Sequence, residues 1–443
     1  MKIDRLTRRL VRAEAAQEAA AAAEGADHEW VALSSADFLV PPVHVELLLA
    51  YNATAPQACE LEQGLRSVLS AYPEWAGRIE HSHPAASRPA IVLNNAGAVF
   101  IEASADGPLH GMQPSFDHPS LLLRDLIPPH FGSSELLLVQ VTRFSCGGMS
   151  IGVAWHHQVA DAEATISFMH AWTLIVKGLA SPSYSPCDRS LLMAKHPPQP
   201  TYEHKEFKRP QQSKDTKSLP SLKQELVVKK LCFNAELLRK IKEEARKGGG
   251  EDFTRFESLM GHLWRCITKA RELEKGDTSK ESVTRLSVAV NARKRMNPKI
   301  ENDYFGNVVC PTCATTNIDM LIREQLGYAA KLVKEAINQV DEEFVRSSLD
   351  YVEIKERHPY EGGRTDGSVL TPNVSVTSWA TLPLYELDFG TGRPFFAGNA
   401  FVPFEGLLII LPPPFPNDGS LHVVLGLFDF AMNNLLSMYD SIF

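Results

Sequence analysis

The sequence predicts a mixed α/β protein of two units joined by a long crossover. Three observations predict it. Strand-like and helix-like segments interleave through the first 180 residues, as in a mixed-sheet domain. The texture changes from Ser181 to Leu222, which is rich in Pro, Lys and Ser and has little apolar periodicity. Strands and helices then resume to the C-terminus. The 443 residues, 44% hydrophobic and 22% charged, are ample for a sizeable core. The expected boundaries are 1–180, a linker at 181–222, and 223–443.

Taken in order, "MKIDRLTRRLVRAEAAQEAAAAAEG" reads as a solvated helix carrying Arg5, Arg8, Arg9 and Arg12. A transit peptide is the alternative reading, against which stand Asp4, Glu14, Glu18 and Glu24, since such peptides are poor in acids. "HVELLLAYNA" (His44 to Ala53) reads as a strand. "ACELEQGLRSVLSAYPEW" reads as a helix, with Leu61, Leu65, Val68 and Leu69 at helical spacing and Pro73 just after its end. "RPAIVLNNAGAVFIEA" has the pattern of a hairpin turning at Asn94 to Gly97. "ELLLVQVTRFSCGGMSIGVAW" reads as a second hairpin, turning at Cys146-Gly147-Gly148. The next helix shows Phe168, Met169, Trp172, Ile175 and Val176 at 3.6 spacing. Beyond Leu222, "NAELLRKIKEEARK" is a helix stopping at Gly248 to Gly250. A second helix carries Phe256, Leu259, Leu263 and Ile267. "RLSVAVNARKRM" begins as a strand, and "LHVVLGLFDFAMNNLL" is a strand followed by a helix.

Composition excludes several classes. A net charge of −8 disfavours a nucleic-acid binder. No apolar run reaches the roughly 18 residues of a membrane span, and no secretory h-region is seen. Seven scattered cysteines in a chain of this length fit a reduced, cytoplasmic protein. "CPTC" (Cys310 to Cys313) lacks the second pair that a zinc site needs.

The chemistry concentrates in "IGVAWHHQVADAEA" (Ile151 to Ala164). A buried strand runs into His156 and His157, and Asp161 follows at helix-capping distance. His157 sits in a tight strand-to-helix connection, Gln158 to Ala160, held by rigid elements. Three readings are open. The histidines are polar filler and Asp161 only a cap. Or His157 and Asp161 are metal ligands, although nothing nearby supplies a third. Or His157 is a general base, since its pKa near 6.5 suits proton transfer near neutrality. No G-x-S-x-G nucleophile is present. A base without a protein nucleophile suits direct transfer from an activated donor.

Further stretches narrow the choice. "HHQVADA" matches an H-x-x-x-D motif. "DFGTG" (Asp388 to Gly392) is similar to D-F-G-W-G followed by a basic residue and proline. "VNARKRMNPKIENDYFGN" and "FTRFESLMGHLWRCITKAR" match a paired-arginine stretch leading to Y-F-G-N and a helix ending in H-x-W-R. "YPEWAGRI" and "FSCGGMSIGV" also fit. By this ordered set, from about residue 40 to the C-terminus, the chain resembles the plant BAHD acyl-CoA-dependent acyltransferases. "AYPEWAGRI", "IVLNNAGAVFIEA", "LLLVQVTRFSCG" and "YELDFGTG" resemble the grass amine N-acyltransferases that use agmatine or tryptamine.

The resemblance implies a monomer of two chloramphenicol-acetyltransferase-like domains with a central solvent channel. A segment around 371–395 would pack with the first domain. Acyl-CoA and an acceptor would enter from opposite faces, with no metal or redox cofactor. His157 would deprotonate the acceptor. Asp161 would pair with Arg293 and hold the turn. Asp388 is the second catalytic candidate by resemblance, a proton acceptor in some family assignments. The residues themselves favour a structural role: a strand ending in D-F-G, with Gly390 and Gly392 for backbone geometry. Tyr304, Asn307, Thr254 and Ser258 match positions near the CoA channel. Glu386, two residues from Asp388 and on the same strand face, is a candidate for binding a cationic acceptor.

Two departures stand out. Ala162 replaces the family's glycine, which would strain the turn, and Thr391 replaces its tryptophan. The function implied is transfer of a hydroxycinnamoyl or benzoyl group from CoA to an amine. The alternatives are an alcohol or phenol acceptor, a carrier-dependent condensation-type enzyme, and a catalytically weak relative.

Overall fold

The computed structural model describes residues 1–14, 28–52, 56–81, 88–112, 121–179, 188–208, 225–247, 250–272, 282–357, 370–414 and 418–441. Its strands in chain order are β1 (Ile3–Val11), β2 (Trp30–Ala32), β3 (His44–Tyr51), β4 (Arg78–Glu80), β5 (Ala90–Val92), β6 (Ala98–Ala105), β7 (Leu137–Arg143), β8 (Met149–His156), β9 (Leu226–Phe233), β10 (Val283–Asn291), β11 (Val309–Asn317), β12 (Val374–Ser378), β13 (Phe396–Gly398), β14 (Leu407–Leu411) and β15 (Leu421–Phe428). The helices are α1 (Ala58–Ala71), α2 (Leu121–Arg124), α3 (Ala162–Val176), α4 (Ala235–Arg246), α5 (Arg255–Ala270), α6 (Ile318–Arg323), α7 (Leu326–Gln339), α8 (Glu342–Ile354) and α9 (Asp429–Leu436). The protein is mixed α/β.

The chain divides into two compact units. The first is Met1–His196 with Pro298–Val309 and Leu382–Phe401; the second is Pro197–Asn297, Cys310–Thr381 and Val402–Phe443. Two short segments from the C-terminal half therefore belong to the first unit, which differs from a cut at residues 181–222. Residues 371–381 stay with the second unit because β12 lies between β10 and β14 in its sheet.

In the first unit, a six-stranded sheet runs β1-β6-β7-β8-β3-β13, and a separate three-stranded sheet runs β2-β5-β4. β8 is internal, antiparallel to β7 and to β3. An interior strand buried on both faces needs apolar residues throughout, which is what "MSIGVAW" supplies. Gly152 is required there: a Cβ would lie 2.1 Å from Leu126 O. One apolar cluster gathers Leu48, Val99, Ile101, Leu138 and Ala154 of the sheet with Leu123, Leu126 and Ile127. Helix α3 is tied to α1 by Trp172 Nε1, which donates to Leu61 O at 3.0 Å.

The second unit has its own six-stranded sheet, β11-β10-β12-β14-β15-β9. In it α5 begins with a capping box between Thr254 and Glu257. Arg271 and Glu405 form a buried ion pair.

Four expectations need correction. The Arg-rich N-terminus is not a helix where it is described: Ile3–Val11 is strand β1, antiparallel to β6. Tertiary partners outweigh local propensity there, with Arg5 Nε donating to Gln140 Oε1 on β7 and Arg9 paired to Glu62 on α1 and Glu102 on β6. Residues 15–27 lie outside the described residues. "RPAIVLNNAGAVFIEA" is not a hairpin, because β5 pairs with β2 and β4 whereas β6 pairs with β1 and β7. The residues before D-F-G are not a strand; Leu384–Glu386 is a short 3-10 turn. The Pro-rich crossover is not featureless: Arg189, 4% exposed, starts a 3-10 turn in the first unit. Residues 180–187, including Cys187, and 209–224 lie outside the described residues. The hairpin at Cys146-Gly147-Gly148 is present, with Arg143 opposite Met149.

Candidate active site

The turn between β8 and α3 is pinned at its backbone. His157 N donates to Val43 O at 2.8 Å, and Val159 N to His156 O at 3.0 Å. The carbonyl of His157 accepts from Asn307 Nδ2 at 2.8 Å. That of Val159 accepts from Arg189 Nη2 at 2.8 Å. The His157 side chain is half-buried. Asp161 caps α3: its Oδ1 accepts from Ala164 N and its Oδ2 from Val308 N, both at 3.0 Å. Its own N donates to Gly306 O at 3.2 Å. Ala162 is the first residue of α3 and is not among the residues with positive φ. The turn therefore carries no strain from the missing glycine; alanine is the better helix former there.

The segment Tyr304 to Val308 straps this turn. Phe305, 1% exposed, packs edge-on to Tyr72 and Trp75 with ring centroids 5.3 Å from each. Both rings also meet Phe168 on α3. Gly306 lets the strap fold back, since a Cβ would lie 2.7 Å from the Tyr304 ring.

Beneath the strap sits Asp37, fully buried. Its Oδ2 accepts from Ser34 N (2.7 Å), Ser34 Oγ (2.8 Å) and Arg189 Nη1 (2.8 Å). Its Oδ1 accepts from Asn307 Nδ2 (2.9 Å) and, more loosely, from Asn307 N (3.3 Å). Burial works against the Arg189 charge, but the Asp37 carboxylate outweighs it and raises the guanidinium pKa above the ordinary value. Sequence reasoning missed Asp37 and Arg189. The one local signal was Ser34-Ser35-Ala36-Asp37, a capping-box spacing.

His156 differs from its neighbour. It pairs in register with His44, and the two rings meet edge-on at 5.3 Å. Burial, then His44, His157 and His81, push its pKa down to about 3. His156 is thus neutral at pH 7.

The other expected residues fall as follows. Asp388 Oδ1 accepts from Gly390 N and Gly392 N, both at 2.8 Å, and its Oδ2 lies 3.6 Å from Lys177 Nζ. Both glycines have positive φ, 93° and 83°. Phe389 packs against Trp172 at 4.8 Å and Tyr51 at 6.2 Å. The Asp388 carboxylate is committed to organising its loop, although the loop does not end a strand. Thr391 Oγ1 is buried there without a hydrogen bond among the described residues. Glu386 is exposed at the end of the 3-10 turn, so it shares no strand face with Asp388. Tyr304 and Asn307 belong to the same unit as His157 and Asp161. Thr254, Ser258 and Arg293 belong to the second. Thr254 Oγ1 caps α5, and Ser258 Oγ donates to Thr254 O at 3.0 Å. Arg293, 1% exposed, opens a 3-10 turn, its N donating to Asn291 Oδ1 at 3.0 Å.

Cys310 and Cys313 lie three apart on β11 and so face opposite sides. Burial pushes the Cys310 thiol pKa up to about 12. Among the described residues no cluster of three or more His, Cys, Asp or Glu is placed to hold a metal ion, and no helix is long and apolar enough to cross a membrane.

A family model described as the transferase family matches residues 15–439. The chain belongs to this family, the BAHD acyltransferases. It is an acyl-CoA-dependent acyltransferase acting on a small-molecule acceptor. Among its relatives, agmatine hydroxycinnamoyltransferase 1 of Oryza sativa subsp. japonica is 35% identical, covering 88% of each chain. Agmatine coumaroyltransferase-1 of Hordeum vulgare is 35% identical, covering 93% of each. Shikimate O-hydroxycinnamoyltransferase of Nicotiana tabacum is 31% identical, covering 89% of this chain and 91% of that one. The BAHD fold is matched by the crystal structure of F. graminearum TRI101 complexed with coenzyme A and deoxynivalenol. The TM-score is 0.74 at 17% identity, over 92% of this chain and 97% of that one.

Proposed function

We propose that this acyltransferase moves an aromatic acyl group, hydroxycinnamoyl or benzoyl, from CoA to a primary amine such as agmatine or tryptamine, with His157 as general base. The reading of His157 is carried by its half-buried place on a turn whose backbone is held at His157 N, His157 O and Val159 O. A base held this way meets the positional demand of proton transfer. The amine acceptor is supported by the two relatives named for agmatine. In this reading the protein is a cytoplasmic monomer that needs no cofactor, acyl-CoA being a co-substrate.

The chemistry is direct transfer. The neutral amine nitrogen attacks the thioester carbonyl and the C–N bond forms. His157 accepts the proton that the nitrogen loses. The oxyanion then collapses, the C–S bond breaks, and the CoA thiolate leaves, taking the proton from His157 and restoring the base. An alkylammonium has a pKa of about 10 in water, so the reactive form is scarce at pH 7. The rate with an amine is expected to rise toward alkaline pH, and a flat profile between pH 6 and 9 would count against this reading.

The test is a substrate matrix. Coumaroyl-, feruloyl-, benzoyl- and acetyl-CoA are offered against agmatine, tryptamine, tyramine, putrescine, shikimate and a simple alcohol. Free thiol is followed and products are confirmed by mass. Thiol release with an amine, cut to a small residual rate in His157→Ala, is the expected result. Turnover with hydroxyl acceptors alone overturns the acceptor class.

A further inference from the structure

We propose that Asp37 and Arg189, together with Asn307, form a buried yoke that positions His157 through the main chain of its turn. This deepens the reading above and rests on His157 being the base.

The geometry is specific. Arg189 spans two partners with its two terminal nitrogens: Nη1 reaches Asp37 and Nη2 reaches the carbonyl of Val159. Asn307 Nδ2 spans two likewise, the Asp37 carboxylate and the carbonyl of His157. One buried carboxylate therefore orients both donors, and both donors end on carbonyls of the turn that carries the base. Asp37 lies 152 residues from Arg189 and 270 from Asn307 in sequence. No local preference assembles this arrangement.

A purely stabilising role explains it poorly. Arg189 and Asp37 are 4% and 0% exposed. Taking such a pair out of water costs about what the attraction returns, and apolar residues of the same volume often stabilise as well. What an apolar pair lacks is direction. A planar guanidinium fixes an angle between its two partners, which a lysine, a point charge on a flexible stem, does not. A misplacement of about 1 Å at a catalytic group costs as much as ~100-fold in rate. The yoke acts on the carbonyls of His157 and Val159 in the turn that carries the base, so its loss is expected in turnover rather than in substrate affinity. Asp37, Arg189 and Asn307 are positioning residues by this argument.

The test compares Arg189→Lys, His157→Ala and the double variant, using coumaroyl-CoA and the amine selected by the substrate matrix. Arg189→Lys keeps a cation beside Asp37 but cannot hold both partners. Its kcat is expected to fall roughly 10- to 100-fold, with KM for each substrate within about twofold. In the His157→Ala background the same substitution is expected to change residual turnover by less than about twofold, because its route to the chemistry has gone. A merely structural role would lower both backgrounds alike. The proposal is overturned if Arg189→Lys turns over as the wild type while His157→Ala keeps only residual turnover. It is overturned equally if the lysine variant lowers both backgrounds by the same factor. Failure of the base reading shows differently, as wild-type turnover in His157→Ala. Should Arg189→Lys not fold, Asn307→Ala carries the question: a loss of kcat at constant KM for coumaroyl-CoA supports the yoke, and a rise in that KM alone overturns it.

Discussion

Replacing Asp161 by asparagine separates the work of its two oxygens. In the native turn Oδ1 accepts from Ala164 N and Oδ2 from Val308 N, each at 3.0 Å, with the side chain 2% exposed. An asparagine keeps one acceptor and presents an amide N–H in place of the other. Asparagine is a good N-cap, so the oxygen is expected to stay with Ala164 and the amide to confront Val308 N. Leaving a buried N–H unsatisfied costs about 1–3 kcal/mol. Alanine removes both acceptors and adds the loss of a cap, about 1 kcal/mol more. For a unit of 150–250 residues, each kcal/mol moves Tm by roughly 2–4 °C. Asp161→Asn should therefore melt about 4–8 °C below the wild type, taking about 2 kcal/mol for the lost bond, and Asp161→Ala lower still. The assay is thermal unfolding followed by circular dichroism, with kcat measured alongside. Since Asp161 closes the turn that carries His157, kcat is expected to fall in the same order. An asparagine variant within about 1 °C of the wild type would refute the clasp between Asp161 and the Tyr304–Val308 strap. So would an alanine variant no worse than the asparagine one.

Two further perturbations test the surroundings. His156 is held neutral to about pH 3 when folded but protonates near 6.5 when unfolded. Between those values the unfolded state binds one more proton, so this group's contribution to stability is complete above pH 6.5 and is lost as pH falls toward 3. From pH 6.5 to about 4.5 the wild type should lose about 2 kcal/mol more than His156→Gln. Urea unfolding at the two pH values checks this, and parallel losses would sink it. Gly152→Ala places a Cβ 2.1 Å from Leu126 O in the strand that leads to the histidines. Overpacking of this kind costs about 1–3 kcal/mol, so a melting temperature unchanged from the wild type would mean β8 does not run where it is placed.

Much of the site was legible as sequence because its parts are local. The apolar strand, the histidines at its exit and the capping aspartate lie within Ile151 to Ala164, and strand exit, tight turn and N-cap each carry a short-range signal. The same holds for α4 and α5, whose caps and apolar stripes are contiguous. Two of the failures are cases where distant residues decide. Ile3–Val11 looks helical alone and is a strand because β6 offers its edge. Ala90–Val92 and Ala98–Ala105 look like hairpin partners and belong to different sheets.

The sequence by itself determined the family, the mixed α/β class, the turn that holds His157 and Asp161, and the order of most elements around it. Tertiary structure alone decided what grips that turn. Asp37, Arg189 and Asn307 sit in three separated segments; Asp37 and Arg189 read singly as ordinary polar residues, and the motif that marks Asn307 does not name its partners. Folding brings them to one buried point because a charge removed from water must find its partners there. Such a requirement leaves no periodicity in the chain.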